Sequence, residues 1–166
     1  SNNTGIGFNA LADVSTGNGN TVVGTYAGYS LGNADDNTVV GSGALRNSTS
    51  SNENTVVGSY AGLNISSGSS NVLLGLRAGT FGTALTTGSN NICLGYKASV
   101  SSATVSNEVT IGDANITKLR IPGIDVVLKD NGGTPTQGHV LTVDGSGEAS
   151  FASAPVSAPV GGSASN

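Results

Sequence analysis

A glycine ends a short apolar phrase at Gly7, Gly24, Gly41, Gly58, Gly75, Gly95 and Gly112, and every interval is 17 residues except one of 20. No other feature limits the fold so tightly. The phrases read NTGIGFNAL, NTVVGTYAG, NTVVGSGAL, NTVVGSYAG, NVLLGLRAG and NICLGYKAS, starting at Asn3, Asn20, Asn37, Asn54, Asn71 and Asn91. A degenerate seventh, NEVTIGDAN, is aligned from Asn107 with one extra residue before its glycine. Phrases two and four share Tyr-Ala-Gly and phrases one and three share Ala-Leu, so a 34-residue super-repeat overlies the shorter one. A period of 34 also belongs to helix-pair solenoids. Here the unit is rich in Val, Thr, Gly, Asn and Ser, which disfavour helix, and no i, i+3, i+4, i+7 apolar face exists.

The expectation is therefore an all-β chain in which each repeat forms one coil of a narrow β-roll or β-solenoid. Seventeen extended residues reach roughly 56 Å, enough for two short strands and two turns, and stacked coils advance about 4.8 Å each. Every slot then becomes a ladder. Asn20, Asn37, Asn54, Asn71 and Asn91 would pass amide hydrogen bonds between coils, and Ala27, Ala44, Ala61, Ala78 and Ala98 would form a small-residue seam. Gly24, Gly41, Gly58, Gly75 and Gly95 would allow close backbone approach. Alternation sends Val22, Val39 and Val56 to one face of the strand and Val23, Val40 and Val57 to the other. Burial on both faces is expected, one inside the coil and one against a partner, with a closed homotrimer the natural arrangement.

Composition narrows the chemistry. With 26 Gly, 4% aromatic residues and no Trp or Met, any core must be built from Val, Ile, Leu, Ala and backbone. The net charge is -4 and no basic run exceeds one residue, which argues against nucleic-acid binding. No apolar run approaches the roughly 20 residues of a membrane span, so no membrane insertion is expected. The single cysteine, Cys93, takes the slot of Val22, Val39 and Val56 and is read as a buried small hydrophobe. His139 is the only histidine and has no neighbouring nucleophile. Asp13, Asp35, Asp36, Asp113, Asp130 and Asp144 fall in turns without the repetition of calcium-binding rolls. The phrases GTYAG and GSYAG lack the lysine that ends a phosphate loop. No catalytic residue, cofactor or metal site is assigned, and the chain is not expected to be an enzyme. Tyr26, Tyr60 and Tyr96 are candidates for receptor or interchain contact, and Arg46, Arg77 and Lys97 are expected to face solvent.

The motif Asn-Thr-Val-Val-Gly-x-x-Ala resembles repeats of tailed-bacteriophage fibre proteins and is similar to the head repeats of bacterial trimeric autotransporter adhesins. The resemblance covers residues 1–112. Residues 107–154, especially IGDANITKLRI and GHVLTVDGSGEASF, look like a segment that follows such repeats in phage fibres. In this chain IDVVL, HVLTV and ASF read as short strands, with DNGG and DGSG as hairpin turns. The division expected is a repeat roll over 1–112, a hairpin-rich fibre segment over 113–153 and a Pro/Gly/Ser/Ala-rich tail over 154–166. The resemblance implies an extracellular homotrimeric tail or capsid fibre on a virion. It implies contact with other virion proteins and a host-surface glycan or protein receptor. A bacterial surface trimeric adhesin is the alternative. A third is an ice-binding solenoid using Thr21, Thr38 and Thr55, although Val72 and Ile92 interrupt that ladder.

Overall fold

The structure is a computed structural model that describes residues 2–120, 139–143 and 149–153. The chain divides into two compact units, Ser1–Leu119 and Arg120–Asn166. In the first, β1 (Thr4–Ile6), β2 (Thr21–Val23), β3 (Thr38–Val40), β4 (Thr55–Val57), β5 (Val72–Leu74), β6 (Ile92–Leu94) and β7 (Val109–Ile111) form one seven-stranded sheet in sequence order. All six pairings are parallel, and equivalent repeat positions lie opposite one another, as in Val22↔Val39 and Val39↔Val56. This is a parallel β-solenoid wound in coils of about 17 residues.

Each coil holds one three-residue strand, not the two expected from its contour length. The rest is turn, because left-handed backbone recurs at three slots per coil. One slot precedes the ladder residue (Asp36, φ 55°; Glu53, φ 58°). The others lie two and four residues after the glycine (Tyr60, φ 55°; Leu45, φ 46°). Such corners fold the path too tightly for a second strand. Backbone hydrogen bonds nevertheless continue from coil to coil through the turns, for example Tyr60 N–H to Ser42 O at 2.9 Å and Gly62 N–H to Ala78 O at 2.9 Å.

The interior is narrow and is filled from the strands and from the turns of each coil. The middle residue of each strand from β2 to β6 points in, and Val22, Val39, Val56, Leu73 and Cys93 are fully buried together with the alanine seam. The super-repeat reflects how the remaining space is filled. Leu45 fills it from the fourth position after the glycine in the third coil. In the second and fourth coils Gly28 and Gly62 take that slot, and Leu31 and Ile65 enter from three residues later. A Cβ on Gly28 would meet Leu31 Cδ1 at 2.9 Å. Both solutions bury one branched side chain per coil, worth about 1.5–3 kcal/mol each.

The seventh phrase is threaded differently from its sequence alignment. Val109 pairs with Ile92, so Glu108, not Asn107, follows the asparagine ladder and no extra residue precedes Gly112. Asn107 instead takes the left-handed corner, φ 64°, a conformation asparagine tolerates well.

In the second unit, β8 (His139–Val143) and β9 (Ala149–Ser153) pair antiparallel, with Leu141 opposite Phe151. The segments IDVVL, DNGG and DGSG and the expected tail at 154–166 lie outside the described residues.

Candidate functional site

Three surfaces of the solenoid unit follow from its slots: a buried polar edge, an outward strand face, and a row of rings and cations just past the strands.

The polar edge is built from the asparagines. Asn54 donates from N and from Nδ2 to Asn37 Oδ1, both at 3.0 Å, and its Nδ2 also donates to Gly68 O at 3.0 Å. Asn54 Oδ1 in turn accepts from Asn71 N and Nδ2 at 2.9 and 3.0 Å. The same bonds join Asn20 to Asn37 and Asn71 to Asn91. No described buried side-chain nitrogen or oxygen lacks a partner. A second ladder, absent from the sequence reading, runs two residues earlier in opposite polarity. Asn18 N–H donates to Asp35 Oδ1, Asp35 N–H to Asn52 Oδ1, Asn52 N–H to Ser69 Oγ and Ser69 N–H to Ser89 Oγ, at 2.8–3.0 Å. The slot mixes Asn, Asp and Ser, which look like turn filler; their common feature is a short side-chain acceptor.

Glu108 ends the first ladder. Its N–H donates to Asn91 Oδ1 at 3.0 Å, but a carboxylate has no amide to pass on. It accepts instead from the Ser101 hydroxyl and, at 2.9 Å, from the Ser101 N–H. Hydrogen bonds from Ser101, with a further one from Thr110, hold the carboxyl below the usual range despite partial burial. Cys93 lies in β6, one coil earlier, where burial first and the Glu108 charge second push its thiol to about 11. That environment leaves the thiol protonated and chemically quiet.

The glycines place backbone against backbone: a Cβ on Gly58, at φ 139°, would sit 2.2 Å from Gly75 O. Gly24, Gly41 and Gly75 meet the following coil in the same way, whereas Gly95 is looser.

The outward face carries the first and third strand residues. Thr21, Thr38 and Thr55 are exposed. Beside them Val40, Val57 and Leu74 are 37–39% exposed, and Ile6 and Ile111 at the ends are more so. Within one chain the inner strand face is closed and the outer one, the face expected to meet a partner, is open.

Tyr26, Tyr60 and Tyr96 do not form one patch. Tyr26 packs edge-on to Phe8 at 5.5 Å between centroids and lies 5.8 Å from Tyr29, with the Arg46 guanidinium over both rings at 5.1 and 5.7 Å. Tyr60 lies under Arg77 at 6.0 Å. Lys97 Nζ is 4.9 Å from the Tyr96 centroid and 4.0 Å from that of Phe81. Arg46 and Arg77 are exposed and Lys97 is half-buried. Arg46 and Arg77 thus face solvent as expected and Lys97 only in part, and each also lies over an aromatic ring. Phe81 belongs to the 20-residue coil, whose extra residues bring it beside the next coil's Tyr96. Phe81, Tyr96 and Lys97 then line an open cleft with Thr110, Asp113 and Asn115. Asp113 is engaged there, accepting from Asn115 N and Nδ2 at 3.0 Å each.

Among the described residues, no group of three His, Cys, Asp or Glu side chains could hold a metal ion, and no helix is long and apolar enough to cross a membrane. No family model, curated protein or solved structure matches the chain.

Proposed function

We propose that this chain is a non-enzymatic structural and adhesive protein, the shaft or head of a homotrimeric extracellular virion fibre contributing to host attachment. The observation that carries the reading is the outward apolar row Val40, Val57 and Leu74, continued by Ile6 and Ile111 at the ends. It repeats with the coil spacing, so an identical row on a second and third copy meets it in register, and threefold closure covers all three. Interlocked coils of this kind make a stiff spacer that presents its turns outward. The resemblance of the repeat and of residues 107–154 to phage fibres supports the virion setting. A bacterial surface trimeric adhesin uses the same architecture and is the alternative. Asp35, Glu53, Glu108 and Asp113 serve as turn acceptors in this reading, each taking a hydrogen bond from a neighbouring turn residue.

Solution mass tests the reading. Three chains of 16.1 kDa give about 48 kDa, and a band of that size in an unheated detergent gel is the expected companion. A clean monomer rejects the trimer. It would bring forward the ice-binding reading, for which the exposed Thr21, Thr38 and Thr55 beside Val23, Val40 and Val57 are the specific observation, and thermal hysteresis would then decide.

A further inference from the structure

Of the four Lys and Arg residues of the first unit, Lys118 follows the last strand, and the three within the coils each stand on a ring: Arg46 on Tyr26, Arg77 on Tyr60, Lys97 on Tyr96. A chain with a net charge of -4 has therefore placed the three cations of its coils beside aromatic residues. The tyrosines come from the second, fourth and sixth coils. Two coil spacings separate neighbours, roughly 10 Å along the stack, about the length of an extended disaccharide. Gly43 preserves the interval. It occupies the tyrosine slot of the third coil, and a Cβ there would meet the Tyr60 ring at 2.9 Å.

We propose that this row binds an extended, linear, anionic polysaccharide running along the solenoid, one acidic disaccharide per cation–aromatic cluster, with the Phe81–Tyr96–Lys97 cleft as its terminal subsite. A sugar ring offers C–H bonds to an aromatic face, and an acidic sugar also offers a carboxylate to the adjacent cation. Tyr60 and Tyr96 are 41% and 53% exposed, so ring surface remains open beside the cation. The carboxylates of Asp35, Glu53 and Glu108 accept from Asn18, Ser70 and Ser101, whereas Asp113 lines the terminal cleft with Lys97, its oxygens held by Asn115. Asp13 also stands beside the row, its N–H reaching Tyr29 O at 2.8 Å at the first cluster. Single-stranded nucleic acid also stacks and carries charge, but it needs a denser line of cations than one per two coils. The inference supplies a ligand class for the adhesive half of the fibre reading and depends on that reading for its biological setting.

The test is calorimetric titration of the intact chain with a β-1,4-linked mannuronate oligomer and with a neutral β-1,4-linked glucose oligomer of equal length. The solution mass of every sample is measured in parallel. The acidic oligomer is expected to bind with an affinity that falls with salt. The neutral one should be weaker by about tenfold or more, the scale of one charge-assisted hydrogen bond. A longer acidic oligomer should bind more tightly than one spanning a single cluster. R77Q should weaken binding, and R46Q/R77Q/K97Q should remove it at an unchanged melting temperature; Y60A should weaken both oligomers alike. Equal binding of the two oligomers, a triple variant that binds like the parent, or preference for a single-stranded oligonucleotide would overturn the proposal. So would a stable trimer that binds neither oligomer, which leaves the fibre reading standing. A monomer that binds the acidic oligomer supports the glycan row and removes only the trimer.

Discussion

Asn54 shows what a single ladder residue does. Its amide donates to Asn37 and Gly68 and accepts twice from Asn71, and the residue is 1% exposed. Asn54→Asp keeps the shape and the acceptors but removes the Nδ2 donor, setting a buried charge against Asn37 Oδ1 and Gly68 O. A cost of at least about 3 kcal/mol is expected at neutral pH, read from the urea midpoint. Burial raises the pKa of the new carboxyl, so its stability is greatest below the unfolded value and is lost as pH rises through the folded one. The variant should recover on mild acidification while the parent does not; a parent-like midpoint at neutral pH would show that the ladder carries little. Native titrating groups act at opposite ends of the scale. Glu108 is depressed, so its contribution is present above the unfolded pKa and fades as pH falls through the folded value. Cys93 is raised from 9.0 to about 11, so its contribution is complete below 9.0 and is lost as pH rises through about 11. The corresponding observation is resistance of Cys93 to iodoacetamide near neutral pH until β6 opens. Fast alkylation of the native chain would contradict its burial.

At the level of the coil, the alternation of Leu45 with Gly62 and Ile65 makes neighbouring coils interdependent. A Cβ on Gly62 would lie 3.0 Å from Leu73 Cδ1 and 3.6 Å from Leu45 Cδ1, so Leu45 reaches into the space the next coil leaves open. Leu45→Ala should cost about 2–5 kcal/mol by leaving a cavity, and hydrogen exchange should show protection falling in β3 and β4 together. Loss confined to β3 would mean the coils are energetically separate. The 17-residue period and the strand centres were legible because stacking puts the same demand on every copy, and Val22, Val39 and Val56 answer it with the same letter. The number of strands was not, because contour length ignores left-handed corners at residues such as Glu53 and Leu45. Asn107 drew the alignment to itself by residue type, but the ladder slot is defined by the distance to Val109, which places Glu108 in it. The cation–aromatic row was legible only as separate residues: Tyr26 and Tyr60 share a slot, whereas Tyr96 precedes its cation Lys97 by one position and Arg46 comes from a third slot. Apart from Lys97 on Tyr96, the contacts arise from side chains leaning between coils, which no single-slot comparison reveals.

Across the solenoid unit, the two faces of the strand impose opposite requirements, and their separation makes assembly testable without unfolding the coil. Val39 and Val56 are fully buried, so charging them destroys the interior, whereas Val40 and Val57 on the same strands are 38% and 39% exposed. Val40→Lys and Val57→Lys therefore cost an isolated chain little, since a lysine stem lies along apolar surface with its ammonium in water. In a closed trimer the same ammonium groups are brought toward each other and lose their water, a penalty of several kcal/mol for each buried ion. The double variant is expected to run as a monomer by light scattering, with a strand-rich circular dichroism spectrum and Cys93 still protected. Thr38→Lys on the same face adds a position-specific comparison, because a purely electrostatic repulsion between whole chains responds to any added charge, whereas a packed interface responds most where Val40 and Val57 lie. If the double variant keeps the parent's mass, the outward valines are not the contact that holds copies together. If it unfolds, the outer face is part of the coil's own stability, and the division of the strand into an inner structural face and an outer assembling one fails.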